Sequence, residues 1–274
     1  MITIHLLESS RSFRIVWLLE ELGLSYQIRH HRRNTETTEA ETSLQDIHTL
    51  GVAPILDDNG LTLIESGAII EYLLNHYDRS GLRPPIASAD YNQYSLWMHF
   101  AEGSLMPALS KHQALLKLGT TRVPFFARSI LKKAVNGNIH ANVLPEIEKK
   151  LNFIDTELGQ HGWFCGSQFT AADIQMCYPL ELAEARGCIT ENMQNIQSFL
   201  SAVKDRPAYK IAKEKSGNVT LSLDHSVAGH HEEDDADAHH VSANNSHHDN
   251  SNDQESTTDQ QDRQAEKNGT DAKN

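Results

Sequence analysis

The stretch Ala53-Pro54-Ile55-Leu56-Asp57-Asp58-Asn59-Gly60-Leu61-Thr62-Leu63-Ile64-Glu65-Ser66 decides how this chain is read. Two short apolar runs, residues 53–57 and 61–65, flank Asn59-Gly60. That dipeptide most readily takes the left-handed backbone a tight hairpin turn demands, so the runs are expected to pair as antiparallel strands. After Ser66 the hydrophobic period changes: Ile69, Ile70 and Leu73 recur at helical intervals, which predicts a helix to about Tyr77. The hairpin therefore hands over directly to a helix, and a serine at its start is a natural cap.

Working outward, residues 2–7 form a short apolar strand. Residues 10–22 follow with Phe13, Val16, Trp17, Leu19 and Leu22 at helical spacing, and Gly23 ends that helix. Residues 25–29 suit a second strand, and residues 43–47 a short helix. The order β-α-β-α-β-β-α is a thioredoxin-like plan. Residues 79–88, with Pro84-Pro85, read as a connection. From residue 89 strand signals vanish and helical periodicity takes over, with breaks expected at Pro107, 119–124, 136–138, 159–166, Gly187 and Pro207. Thr170-Ala-Ala-Asp173 has the form of a capping box, with Phe169 and Ile174 at the staple positions. The expected organisation is an α/β thioredoxin-like N-terminal domain over 1–80, a linker over 81–88 and an all-α domain over 89–216. A disordered acidic, histidine-rich tail over 217–274 completes it.

Charge is unevenly spread along the 274 residues. The chain carries a net −13, of which residues 224–274 hold 13 acidic and 3 basic side chains, a net of −10, leaving −3 for residues 1–223. That segment has no Leu, Ile, Phe, Met, Trp, Tyr or Cys, too little apolar surface to offset the entropy of ordering it. Its seven histidines, His225, His230, His231, His239, His240, His247 and His248, lie among carboxylates without the spacing of a built metal site, so no metal is expected. No apolar run reaches the roughly 18 residues of a membrane span. Cys165, Cys177 and Cys188 make no CxxC motif, and an odd count fits a reducing, cytoplasmic setting. A near-neutral body gives no nucleic-acid footprint.

Several motifs in order then resemble the cytosolic glutathione S-transferase family. They are residues 9–24, SSRSFRIVWLLEELGL; residues 50–57, LGVAPILD; Glu65-Ser66; and the box from Thr170 to Asp173. The Ser-Arg-Ser-Phe-Arg run and residues 101–107, AEGSLMP, are most similar to the subgroup shared by bacteria and yeast. The resemblance implies a cytoplasmic, homodimeric detoxification enzyme. Its thiol co-substrate, glutathione, attacks a hydrophobic electrophile or an organic peroxide without further cofactor. The alternative on the same scaffold is a non-catalytic protein that binds glutathione or another ligand, or a stress-regulatory protein.

Each implied site residue also has a physical reading. Ala53-Pro54 suits a cis peptide, since only an X-Pro bond makes that isomer accessible; in the family, Ala53 then pairs its backbone with the cysteinyl part of glutathione. Glu65 can meet an ammonium, while Ser66 and the helix N-terminus can hold a carboxylate, and the γ-glutamyl end carries both. Near pH 7 only about 3% of a thiol with pKa about 8.5 is ionised. Lowering that pKa by about 2 units takes about 2.7 kcal/mol and makes roughly three quarters thiolate. One or two charge-assisted hydrogen bonds supply that much.

Aligning Phe13-Arg14 with the Cys-Arg pair of serine-type relatives places the catalytic hydroxyl at Ser10, with Ser9 and Ser12 as rivals. Arg11 is a candidate for the glycyl carboxylate. Tyr94, Met98, Phe100, Leu105 and Met106 are candidates for lining the electrophile site.

Overall fold

The computed structural model describes residues 1–33 and 42–217; of the acidic tail expected over 217–274, all but its first residue lies outside them. Four strands form one sheet: β1 (Ile2–Leu7), β2 (Tyr26–His31), β3 (Ile55–Asp58) and β4 (Leu61–Ile64), in the order β2-β1-β3-β4. β1 and β2 run parallel, Ile2 beside Tyr26, and are joined through α1 (Ser12–Glu21). β3 runs antiparallel to β1, His5 facing Ile55, and to β4, Ile55 facing Ile64. Asn59 and Gly60 have φ of 50° and 87°, so the turn has the two left-handed residues that keep twisted strands in register. α2 (Ser66–Tyr77) begins where the sequence places it.

The expected short helix over 43–47 is a single 3₁₀ turn, Thr42–Leu44, anchored by the buried Leu44. One buried side chain holds a turn; a longer helix needs a repeating apolar face.

The remainder is helical: α3 (Ala89–Phe100), α4 (Met106–Gly119), α5 (Phe125–Asn138), α6 (Leu144–His161), α7 (Ala171–Ala185), α8 (Gln194–Asp205) and α9 (Pro207–Lys215). Two expected breaks, at Pro107 and at 136–138, are not chain breaks. π turns at Ala101–Leu105 and Ile139–Val143 join α3 to α4 and α5 to α6, and each is followed by a proline in the first two positions of the next helix. A proline lacks an N–H and crowds the carbonyl four residues back, and the wider π turn gives room for both.

α7 is buried along nearly its whole length and starts at the capping box read from the sequence. Asp173 accepts from the Thr170 N–H at 2.7 Å, the Thr170 hydroxyl at 3.0 Å and the Phe164 N–H at 3.0 Å. Burial nevertheless pushes its carboxyl up to about 6.

One apolar core runs through sheet and helices, with Trp17 and Trp97 among its largest buried side chains. The last helix closes on the first. Arg206 grips Glu21 with Nε and Nη2 at 2.6 and 2.8 Å and lies 3.6 Å over the Phe169 ring, while Lys215 reaches Glu20 at 2.6 Å. Beneath these ion pairs Tyr209 meets Trp17 edge to face at 5.1 Å.

Candidate functional site

Three chain segments leave the sheet at one end. β1 finishes at Leu7 and turns through Ser9 and Ser10 into α1; β3 enters there from Ala53; β4 leaves there through Glu65 into α2. Leu7, Ile55 and Leu44 share a small apolar cluster against which Ala53 and Ile64 pack, which brings the loop before α1 beside the start of β3. The carboxyl end of parallel strands, with helix N-termini facing it, is where α/β folds place ligands. The Ala53-Pro54 peptide is cis.

The serines of the first loop divide by environment. Ser9 holds a left-handed backbone, φ 50°, and is half-buried. Ser10 is 6% exposed: its hydroxyl lies 2.7 Å from the Leu7 carbonyl and 2.9 Å from the Ser12 hydroxyl, and it accepts the Ser12 N–H at 3.1 Å. Ser12 is fully buried and its hydroxyl accepts the Leu7 N–H at 3.3 Å. A hydroxyl has one proton, so Ser10 serves either the Leu7 carbonyl or an incoming anion. When Ser12 donates to Ser10, both lone pairs of the Ser10 oxygen are occupied and its own proton is left for the anion. Ser12 is thus suited to position Ser10, and is itself out of reach.

At α2, Glu65 takes a left-handed φ of 70° and is exposed, and its side chain makes no cap bond to the helix. Ser66 is buried and accepts Nη1 of Arg14 at 3.2 Å. Since Arg14 supplies the donor, the Ser66 hydroxyl proton is free to point at a carboxylate, alongside the N–H groups of the first helical turn.

Arg14 is wholly buried and links four elements. The same Nη1 reaches Glu102 in the first π turn at 2.7 Å and Gln175 on α7 at 2.7 Å, and the guanidinium lies 5.1 Å over Tyr178. Among the described residues, its Nε and Nη2 have no hydrogen-bond partner. Burial lowers its pKa from the ordinary arginine value while Glu102 opposes the shift; the side chain stays charged.

Arg11, expected at the glycyl carboxylate, donates from Nε to the other oxygen of Glu102 at 3.0 Å. Glu102 and Gln175 are the residues sequence reading did not single out. They lie 88 and 161 positions from Arg14, so no local spacing points to them.

The expected electrophile-lining residues are held in the core. Tyr94 and Leu105 are fully buried, Met98 and Met106 nearly so, and the Tyr94 hydroxyl donates to Glu71 at 2.6 Å. Phe100 is half-buried and packs against Trp97 and Phe153. Apolar residues at helical spacing serve the core first, and here they do. Among the described residues there is no group of acidic, histidine or cysteine side chains placed to hold a metal.

A thioredoxin-like sheet followed by an all-helical segment is the architecture of a glutathione transferase fold, and the chain belongs to the glutathione S-transferase family. Residues 2–75 match the family's N-terminal domain model and residues 121–207 its C-terminal domain model. Glutathione S-transferase 3 of Schizosaccharomyces pombe is 40% identical over 225 residues, 81% of this chain and 91% of that protein. Glutathione S-transferase 1 of Saccharomyces cerevisiae is 30% identical over 224 residues, 79% and 95% of the two chains. A crystal structure of a glutathione S-transferase from Actinobacillus pleuropneumoniae superposes with a TM-score of 0.67 at 30% identity, covering 81% of this chain and 95% of that one.

Proposed function

We propose that the protein is a glutathione transferase, with glutathione laid across the end of the sheet. Its γ-glutamyl carboxylate is held by Ser66 and the α2 N-terminus, and its ammonium by Glu65. Its cysteinyl backbone pairs with Ala53, beside Pro54, and its thiolate is stabilised by the Ser10 hydroxyl. The observation that carries this reading is the Arg14–Ser66 contact, which orients a buried serine at a helix start whose own proton has no partner among the described residues. Arg11 acts through Glu102 rather than on the tripeptide.

The thiolate then attacks a hydrophobic electrophile. Assembly as a homodimer belongs to the same reading and is supported by Leu50 and Val52, which are exposed just before β3. The test is titration of the bound thiol by its thiolate absorbance, with turnover measured on a panel of aryl halides and organic peroxides. A bound pKa well below the free value, with turnover, is expected. Binding with an unshifted pKa and no turnover overturns the enzyme reading.

A further inference from the structure

The tip that joins α4 to α5 differs chemically from the rest of the body. Between Glu102 and Glu146 the sequence has no acidic residue and six basic ones: Lys111, Lys117, Arg122, Arg128, Lys132 and Lys133. α5 turns only a narrow stripe inward, with Val135 buried and Ala127 and Leu131 half-buried at four-residue spacing. On the outside, Phe125 is 87% exposed, Phe126 69% and Ile130 72%. The two phenylalanine rings meet edge to face at 5.7 Å, and Phe126 and Ile130, four residues apart, lie on one face of the helix. A contiguous apolar cluster of this kind marks an interaction surface. Arg122, Arg128, Lys132 and Lys133 are exposed beside it, and none has an ion-pair partner among the described residues.

We propose that this tip docks the protein on an anionic lipid surface. Phe125, Phe126 and Ile130 enter the boundary between headgroups and acyl chains, while Arg122, Arg128, Lys132 and Lys133 meet lipid phosphates and carboxylates. Arg128 and Lys132 follow Phe125, and Lys133 follows Phe126 and Ile130, at spacings that share a helix face, so cations flank the apolar side chains, and an amphipathic helix with apolar and basic side chains at one surface lies in that boundary without crossing it. No helix among the described residues is long and apolar enough to span a bilayer, so the contact is peripheral. A symmetric pairing of two such tips sets the same four cations against each other, whereas an anionic bilayer complements both the charge and the apolar cluster. The site is separate from the glutathione site and does not depend on the enzyme reading. It places the protein where apolar electrophiles accumulate.

The experiment is co-sedimentation of the full-length chain with vesicles of phosphatidylcholine and phosphatidylserine, against phosphatidylcholine alone, at low and high salt. Binding to the anionic vesicles that falls steeply with salt is expected. Each basic residue near the surface contributes about five-fold, so Lys132→Gln with Lys133→Gln is expected to cut the partition constant about 30-fold. Phe125→Ser with Phe126→Ser is expected to abolish binding, with transferase activity and oligomeric state unchanged. No sedimentation of the full chain with anionic vesicles at low salt, or wild-type binding by both variants, overturns the proposal. A change of oligomeric state in the phenylalanine variant assigns the face to a second copy and also overturns it. So does binding that appears only after the chain is cut after Leu223, which assigns the cations to the protein's own acidic segment.

Discussion

Arg14 reaches Ser66 across 3.2 Å from inside the protein, so the serine presents to the site a hydroxyl whose acceptor side is already filled. The same nitrogen ties Ser66 to Glu102 and Gln175, and the end of the site proposed to bind a carboxylate therefore rests partly on the helical segments. Arg14→Ala removes a buried charge partner from three polar groups and is expected to cost about 3 kcal/mol in urea unfolding. Arg14→Lys, a point charge in place of a fork, is expected to fold and to raise the KM for glutathione with a smaller change in kcat. Equal loss of kcat and KM effect in the lysine variant counts against a binding role.

Ser66→Ala removes one charge-assisted hydrogen bond worth about 1.5–3 kcal/mol, a roughly 10- to 150-fold weaker Kd for glutathione by calorimetry. The thiol pKa of whatever glutathione remains bound at saturation is expected to stay low, because the thiol is on the central cysteinyl residue, away from the γ-glutamyl carboxylate that Ser66 holds.

The serines of the first loop separate by what each variant moves. Ser10→Ala is expected to return the bound thiol to near its free pKa, about 8.5, cutting the thiolate at pH 7 roughly 25-fold. Ser12→Ala is expected to cost about 1 kcal/mol of stability through the unpaired Leu7 N–H and to shift the thiol less. If Ser9→Ala alone abolishes the shift, the half-buried Ser9 is the donor, and the role assigned to Ser10 is wrong.

Asp173 gives a pH signature. Burial holds its carboxyl up at about 6, above the ordinary 3.8, so the folded chain binds a proton that the unfolded chain releases. The stabilisation from that proton is fully present below about pH 4 and is lost as pH rises through about 6. Asp173→Asn is expected to flatten the stability curve over that window. It also lowers stability by about 2 kcal/mol at pH 7, because the amide replaces an oxygen that accepts from Thr170. Unfolding midpoints across pH, variant against wild type, check both.

Cys165 and Cys177 are buried, and burial pushes the Cys165 thiol up to about 12 and the Cys177 thiol well above the ordinary range; half-buried Cys188 is raised too. A disulfide-exchange reagent is therefore expected to label the native protein slowly and to titrate three thiols after unfolding. Fast labelling of the native chain contradicts the packing around α7.

The hairpin and α2 were legible because Asn59-Gly60 and the change of hydrophobic period are local signals, and local signals need no knowledge of the rest of the chain. β2 ran past its expected end at Arg29 because His30 and His31 pair with Leu6 and Leu7 by backbone, a register that side-chain type does not record. Pro107 read as a break because the tolerance of a π turn is not written in residue type. Ser66 and Glu65 were visible as a helix start. Glu102 and Gln175 were not, since their role exists only after α3 and α7 have packed against α1 and α2.

The grip of α9 on α1 bears on how the protein is made. Trp17, Glu20 and Glu21 are synthesised early, whereas Tyr209, Arg206 and Lys215 follow almost at the end of the described chain. A ribosome that has released the whole β-sheet still holds the pieces that seal it. Until those last turns emerge, the nascent chain shows the outer face of its first helix to solvent, aromatic side chains included. Premature termination anywhere before α9 thus yields an exposed apolar flank, which favours aggregation or capture by a chaperone.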